Sequence, residues 1–119
     1  MPTGVAVTQD SNKAYVTNLY FQDSVIDTTT NSVIATVPIT QMLPSYGIAI
    51  TPDGKTIYIS NYYQNNVSVI NTTTNTVTGI LYVGSPYGVP VAPYGTKICI
   101  VNVFGRNVIA FNTTTNAID

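Results

Sequence analysis

The residues that could carry chemistry are few in this sequence, and they form no catalytic set. The 119 residues include no His, no Glu, five Asp, four Lys or Arg, and one Cys. Without His, neither a Ser/His/Asp nor a Cys/His arrangement exists, and there is no imidazole ligand for zinc or haem. Because the five carboxylates are scattered, we expect a protein that is not an enzyme and that has no cofactor and no metal.

The chain is built from three copies of one unit. Gly4, Gly47 and Gly88 each stand at the start of a short apolar run, at intervals of about 40 residues, the period of a propeller blade. A Tyr-Val-Thr-Asn type of segment and a Thr-rich segment that ends in Asn follow each glycine. The apolar run occupies residues 4–8, 47–51 and 88–92. The Tyr-Val-Thr-Asn type of segment occupies residues 15–18, 58–61 and 99–102. The Thr-rich segment occupies residues 27–31, 71–75 and 112–116.

The repeated unit predicts four short strands and no helix longer than one turn. Val, Ile, Thr and Tyr dominate the apolar runs, and none of them has the helical period. The expected fold is all-β, a partial β-propeller of about three four-stranded antiparallel blades, the last blade lacking its outer strand. The blades would span approximately residues 2–43, 44–85 and 86–119 of a single domain. The predicted strands are named a to d within a blade. In the first blade they are residues 4–8, 14–17, 24–27 and 33–39, and in the second blade residues 47–51, 57–60, 67–71 and 77–83. The third blade has strands a to c, at residues 88–92, 98–101 and 108–112.

Three of the five carboxylates fall in or beside the turns between these strands. Asp10 and Asp53 occupy equivalent places after strand a, where an Asp side chain accepts a hydrogen bond from the main chain nearby. Asp27 aligns with Asn71 and Asn112 in the Thr-rich segment, so one capping role for the side-chain oxygen explains all three. We therefore predict structural roles for these side chains.

The segments at residues 15–18 and 27–31 closely resemble the YVTN β-propeller repeat. That repeat is known from surface-layer proteins of methanogenic archaea and from related bacterial proteins. The resemblance covers essentially the whole chain and implies a propeller that serves at the cell surface. The third copy departs from the pattern: Cys99 replaces the Tyr, Pro90 interrupts strand a, and a Tyr-Gly pair ending at Gly95 replaces the Asp-Gly turn.

Three copies leave the propeller circle open, since closed propellers typically have four to eight blades. The chain is either a fragment of a longer repeat protein or a chain that closes a ring by self-association. An open arc exposes an apolar sheet face at each end, and such patches recruit partners. We expect self-association or additional blades of a longer chain, and we expect Val5 and Val7 to be essential to the packing of the first blade.

Aromatic side chains recur in the connections on one face of the predicted blades. The b–c and d–a connections of a propeller blade emerge on the same face, and Tyr there supplies a large contact area for a protein or glycan. The same rings would also serve simply to cover the blade edges, and the sequence leaves both interpretations open. The candidate binding residues are Tyr20, Phe21, Tyr46, Tyr62, Tyr63, Tyr87, Phe104 and Arg106.

Composition narrows the remaining classes of function. The net charge is −1 and only 8% of the residues are charged, so there is no basic face for nucleic acid. No apolar run predicts membrane insertion, and no signal peptide is visible.

Cys99 aligns with Tyr on strand b and is expected in the core. Three matches to the glycosylation pattern leave that modification open; they lie at Asn66, Asn71 and Asn112.

Two functions follow from these observations. The first is a non-enzymatic interaction module. Its expected location is outside the cell or on the cell surface, because Thr and Asn fill the polar positions that charged residues usually occupy. The alternative is a fragment of a larger propeller enzyme, similar to a lactonase or to a quinone- or haem-dependent dehydrogenase, whose catalytic residues lie outside this chain.

Overall fold

The three repeats fold into three antiparallel sheets. The structure, a computed structural model, describes residues 1–19, 22–37 and 44–118. In each sheet, strands that follow one another in the chain also pair with one another, which confirms the all-β partial propeller with a three-stranded last sheet. The first sheet contains β1 (Pro2–Val7), β2 (Lys13–Asn18), β3 (Asp23–Asp27) and β4 (Ser32–Val37); the second β5 (Ser45–Ile50), β6 (Thr56–Asn61), β7 (Asn66–Asn71) and β8 (Thr76–Tyr82); the third β9 (Pro86–Gly88), β10 (Lys97–Asn102) and β11 (Asn107–Asn112).

The described strand boundaries of the first two copies lie within about two residues of the prediction, with inner strands that begin earlier, whereas the third copy departs further. There β9 ends at Gly88, and only a single bridge between Val91 and Ile98 continues the pairing. Pro90 causes the interruption because it has no N–H to donate, although its carbonyl still accepts from the Cys99 N–H at 2.9 Å. The helix among the described residues is one 3₁₀ turn, Tyr62–Gln64, so the prediction of no longer helix is confirmed for that part of the chain.

The core lies in the two gaps between neighbouring sheets. Side chains alternate across β6, so Tyr58 packs against the third sheet while Ile57 and Ile59 pack against the first. All three side chains are buried. The second sheet is therefore covered on both faces, whereas the first and third sheets each have one covered face and one open face.

A glycine in the inner strand sets the distance between neighbouring sheets. A Cβ atom added at Gly4 would lie 2.8 Å from the main-chain oxygen of Tyr46, and one at Gly47 would lie 2.4 Å from that of Tyr87. Carbon and oxygen atoms do not approach this closely without a bond, so only glycine lets the next sheet pack here. The contact is repeated because the residue before each glycine covers the glycine of the preceding copy.

The Tyr-Val-Thr-Asn segment joins each sheet to the next. The hydroxyl of Tyr15 donates to Oδ1 of Asn75 in the second sheet at 3.1 Å. Ser60, at the Thr position of the second copy, donates to the main-chain oxygen of Tyr87 in the third sheet at 2.8 Å. Asn61 is buried and donates to side chains of β7, so it shapes the loop that follows β6.

The predicted role of Asp in the a–b turns is confirmed. Oδ1 of Asp53 accepts hydrogen bonds from the Thr51 hydroxyl at 2.6 Å and from the Lys55 N–H at 3.0 Å, and Asp10 makes the same pair of bonds in the first copy. The bond from the Thr51 hydroxyl contributes most to holding the pKa of Asp53 below its usual value. Gly54 has a φ of 70°, a conformation that favours glycine.

The Thr-rich c–d turns are capped as predicted. Oδ1 of Asn71 accepts from the main-chain N–H groups two and three residues on, at 2.8 and 3.3 Å, and Asp27 and Asn112 do the same in their copies. Asn75 ends the turn at a φ of 54°, a left-handed conformation that Asn tolerates well. These two requirements explain the oxygen acceptor at the start of the turn and the Asn at its end.

A second set of bonds ties the c–d turn to the a–b turn of the same sheet. The Thr72 hydroxyl donates to the main-chain oxygen of Gly54 at 2.7 Å, and the Thr72 N–H donates to that of Lys55 at 3.1 Å. The equivalent threonines, Thr28 and Thr113, make the same two kinds of bond. The two turns on this side of each sheet are therefore joined.

Replacing Asn71 with Ala should lower the free energy of unfolding by about 1 kcal/mol, because two main-chain N–H groups lose their acceptor. Urea denaturation measures the change. Asn71→Asp is the matched control and should be close to the wild type, because Asp27 caps the same turn in the first copy. An Ala variant as stable as the Asp variant would contradict the capping role.

The open faces of the first and third sheets correct two expectations. Val5 and Val7 are 63% and 48% exposed, so neither is essential to packing within the first blade. Cys99 is partly exposed rather than in the core, and it pairs across the strands with Ala110 on the open face of the third sheet. Both differences have one cause, which is that none of the described residues covers these two faces.

Candidate functional site

Five aromatic side chains meet on one side of the second and third sheets. Tyr46 and Tyr87 stack with their ring centroids 5.4 Å apart, and Tyr62 lies edge-on to both, at 5.8 and 6.4 Å. Tyr63 and Phe104 extend the cluster at 5.0 and 6.0 Å from Tyr62. The stacked and edge-on pairs have the arrangements that aromatic rings prefer, and the Tyr62–Phe104 pair is tilted by 40°. We call these five residues the aromatic face.

The aromatic face is built from strand ends and from the loops that follow the b strands. Tyr62 and Tyr63 open the 3₁₀ turn after β6, and Phe104 lies between β10 and β11. Tyr46 and Tyr87 were expected in d–a loops, but they belong to β5 and β9 because pairing begins earlier than the sequence indicates. The rings are therefore attached to regular structure on both sheets.

A hydrogen-bonded link holds the two sheets together behind the rings. Asn65, with a φ of 56°, closes the 3₁₀ turn, and its Oδ1 accepts from the N–H and the hydroxyl of Ser85 at 2.9 and 3.2 Å. Ser85 in turn accepts from the Val103 N–H at 3.2 Å. This link fixes the loop that carries Tyr62 relative to the strand that carries Tyr87.

The rings surround an open basin of about 470 Å³, whose lining consists of four tyrosines and Val103. Tyr63 and Tyr87 are 58% and 53% exposed. Burial raises the pKa of Tyr46, and the neighbouring Tyr63 hydroxyl adds to the effect. An uncharged basin of this kind offers ring faces for apolar or flat groups and phenol hydroxyls for hydrogen bonds.

The structure brings together five of the eight predicted binding residues. Tyr20 and Phe21 lie outside the described residues. Arg106 is exposed in the loop that carries Phe104, with a φ of 51°, and it is not one of the ring contacts. Sequence reasoning missed Val103 and the link behind the rings; the Asn that ends each Tyr-Val-Thr-Asn motif was the available signal for an ordered loop.

A second cavity, of about 510 Å³, lies at the a–b turns of the first two sheets, and Asp10, Lys13 and Asp53 are among its lining residues. Both carboxylates already accept hydrogen bonds within their own turns. Similarly, the side chains of Asn71 and Asn112 cap their own turns. The turn requirement therefore accounts for these residues without a ligand or a glycan.

The described part of the chain contains neither a cluster of metal-binding side chains nor a membrane-spanning helix. Within residues 1–19, 22–37 and 44–118, no three His, Cys, Asp or Glu side chains come together in a way that could hold a metal ion. In the same ranges there is no helix with the length and apolar character needed to cross a bilayer.

Comparisons with known proteins identify the fold. No protein-family model and no curated protein sequence matches the chain. Among solved structures, hydrazine synthase from Kuenenia stuttgartiensis is similar, with a TM-score of 0.91 and 20% sequence identity. The match covers 99% of this chain and 34% of that chain, so this chain spans about a third of the structure it matches. At this identity the similarity shows the fold alone, a partial β-propeller.

Proposed function

We propose that this chain is a non-enzymatic interaction module and that its aromatic face binds a protein or glycan partner. The convergence of rings from two sheets on one uncharged basin is the observation that carries the proposal. Rings that only covered the sheet edges would be largely buried, whereas Tyr63, Tyr87 and Phe104 are more than half exposed. Exposed, ordered tyrosines are typical of binding surfaces.

A location at the cell surface is part of this proposal. The resemblance to the YVTN repeat of surface-layer proteins supports it, as does a composition in which only 8% of the residues are charged. Protease treatment and surface labelling of intact source cells test the location. Recovery of the protein only from the cytosol would rule out the surface location and leave the binding proposal to its own test.

Replacing Tyr63 and Tyr87 together with Ser should abolish binding while leaving the melting temperature nearly unchanged. We expect affinity to fall by about 30-fold or more, because tyrosines that act as hot spots of an interface contribute about 2 kcal/mol or more. The measurement is calorimetric titration with a panel of neutral oligosaccharides and with purified proteins of the cell surface. Tyr82→Ser and Tyr94→Ser, at positions 79% and 91% exposed and outside the aromatic face, are the matched controls.

Two results would contradict the binding role. A large fall in melting temperature for the double variant would show that the two rings stabilise the fold. Equal affinity of the double variant and the controls would show that the partner binds elsewhere.

A larger propeller enzyme is the second candidate, and the similarity to part of hydrazine synthase favours it. In that case this chain would supply an arc of the scaffold while other blades supply catalytic groups. The surrounding gene sequence distinguishes the candidates. Further blades that carry His, Glu or a haem-binding motif would favour the enzyme, and further Tyr-Val-Thr-Asn units would favour the interaction module.

A further inference from the structure

The third repeat contains an unoccupied copy of the contact that joins the sheets. At Gly4 and Gly47, the main-chain oxygen of the next sheet lies where a Cβ atom would be. At Gly88, an added Cβ would meet only the side chain of Val101, at 3.6 Å, which is ordinary contact. Among the described residues, nothing fills the corresponding space at Gly88.

The open face of the first sheet carries the side chains that would complete this contact. Val5 and Val7 occupy the positions of Ile48 and Ile50 in the second sheet, which pack against the first sheet. The residue before Gly4 is Thr3, at the position from which the residue before Gly47 covers the preceding glycine. The first sheet therefore presents outward the same kind of surface that the second sheet uses to bind its neighbour.

The open face of the third sheet carries exposed valines, as the open face of the first sheet does. Val101 and Val108 face each other across β10 and β11 and are 39% and 61% exposed. Their equivalents in the second sheet, Ser60 and Val67, are both fully buried on the side of the third sheet. The exposed valines are apolar, like those on the first sheet, so the valine side chains of the two faces can pack against one another. Lys97 is on the same side of β10 and lies at the end of that strand.

We propose that the open face of the third sheet binds the open face of the first sheet of a second copy of this chain, with the main-chain oxygen of Thr3 seated over Gly88. The contact is head to tail, because the two faces are different surfaces, and it continues the order that joins the sheets within one chain. It is independent of the aromatic face and of the proposed function.

Charge variants on the two faces test the head-to-tail contact. Val5→Asp and Val101→Asp place a charge on one face each, at exposed positions, so each variant should fold but sediment as a monomer where the wild type associates. An equimolar mixture of the two should recover a pair, because the unchanged third sheet of one meets the unchanged first sheet of the other. Tyr94→Asp, a charge at a position 91% exposed and on neither face, should associate like the wild type.

Gly88→Ala is the second variant. It should leave the circular dichroism spectrum and melting temperature of the monomer unchanged, while weakening association by about tenfold to a hundredfold. Gly79→Ala, whose Cβ would make only ordinary contact with Val69, is the control. A wild type that remains monomeric at high micromolar concentration, a mixture that does not recover pairing, or an unaffected Gly88→Ala variant would each overturn the proposal.

Discussion

Replacing Gly47 with Ala should destabilise the protein by about 3 kcal/mol or more and lower its melting temperature by about 10 °C. The new methyl group would lie 2.4 Å from the main-chain oxygen of Tyr87, and a main-chain atom in a packed sheet has no alternative rotamer. The second and third sheets would have to separate, which would loosen the whole apolar cluster between them. Thermal and urea denaturation measure the loss.

The control for this substitution is Gly79→Ala, also within a strand of the second sheet. Its Cβ would lie 3.7 Å from the Val69 side chain, so the change in stability should be small. Gly4→Ala should behave like Gly47→Ala, since its Cβ would lie 2.8 Å from the oxygen of Tyr46. If all three variants melted together with the wild type, the glycines would not set the distance between the sheets.

The stability of the wild type should fall as the pH rises towards 7, and Asp23→Asn should remove that fall. Asp23 is only 3% exposed, and its Oδ2 has no hydrogen-bond partner among the described residues. Burial raises its pKa from 3.8 to about 7, and the bond from the Asn18 N–H only partly opposes this. The folded state therefore binds the proton more tightly than the unfolded state, so stability is lost between these two pH values.

Above pH 7 the Asn variant should be more stable than the wild type by on the order of 4 kcal/mol, and below pH 3.8 the two should be alike. Asn retains the oxygen that accepts from Asn18 and carries no charge. Asp53→Asn provides a control of opposite sign, because the pKa of Asp53 is lowered in the folded state. The wild type should therefore be more stable than Asp53→Asn above pH 3.8, and this difference in stability should disappear in acid. If the melting temperatures of the wild type and the two Asn variants changed with pH in the same way, the raised pKa of Asp23 would be contradicted.

The fold could be predicted from the sequence because the repeat supplies the same information three times. One Thr-Thr-Thr-Asn segment would be ambiguous, but three copies at nearly the same distance from Gly4, Gly47 and Gly88 define a repeated unit of strands. The local chemistry of the turns was predictable for the same reason, since Asp27 and Asn71 share only a side-chain oxygen acceptor.

The packing between repeats could not be predicted in the same way. Alternation shows that Val5 and Val7 share a face, but it does not show whether another sheet covers that face. Asp23 was also missed: Ser24 and Ser68 pair with equivalent residues of the motif, so Asp23 stands where the second copy has Val67. An apolar position taken by a carboxylate becomes visible only once the register of the strands is known.

Only part of the arrangement of the aromatic face could be predicted from the sequence. The repeat placed Tyr62 and Tyr87 on the same side of the blades, but the distance between them depends on the bond between Asn65 and Ser85. These two residues lie in separate connections, the first after β6 and the second before β9. Side-chain bonds between two connections that are distant in sequence leave no periodic signal. The candidate site was therefore predicted as a set of residues and not as a geometry.

The joined turns make this chain an asymmetric scaffold for protein engineering. A peptide inserted between Gly54 and Lys55 would separate two main-chain acceptors that bind Thr72, so it should be poorly tolerated. The loop around Phe104 is exposed, and foreign sequence grafted there would leave those bonds intact. Libraries of new binding loops should therefore be built on the aromatic side, with the opposite side kept as the fixed base that every variant shares.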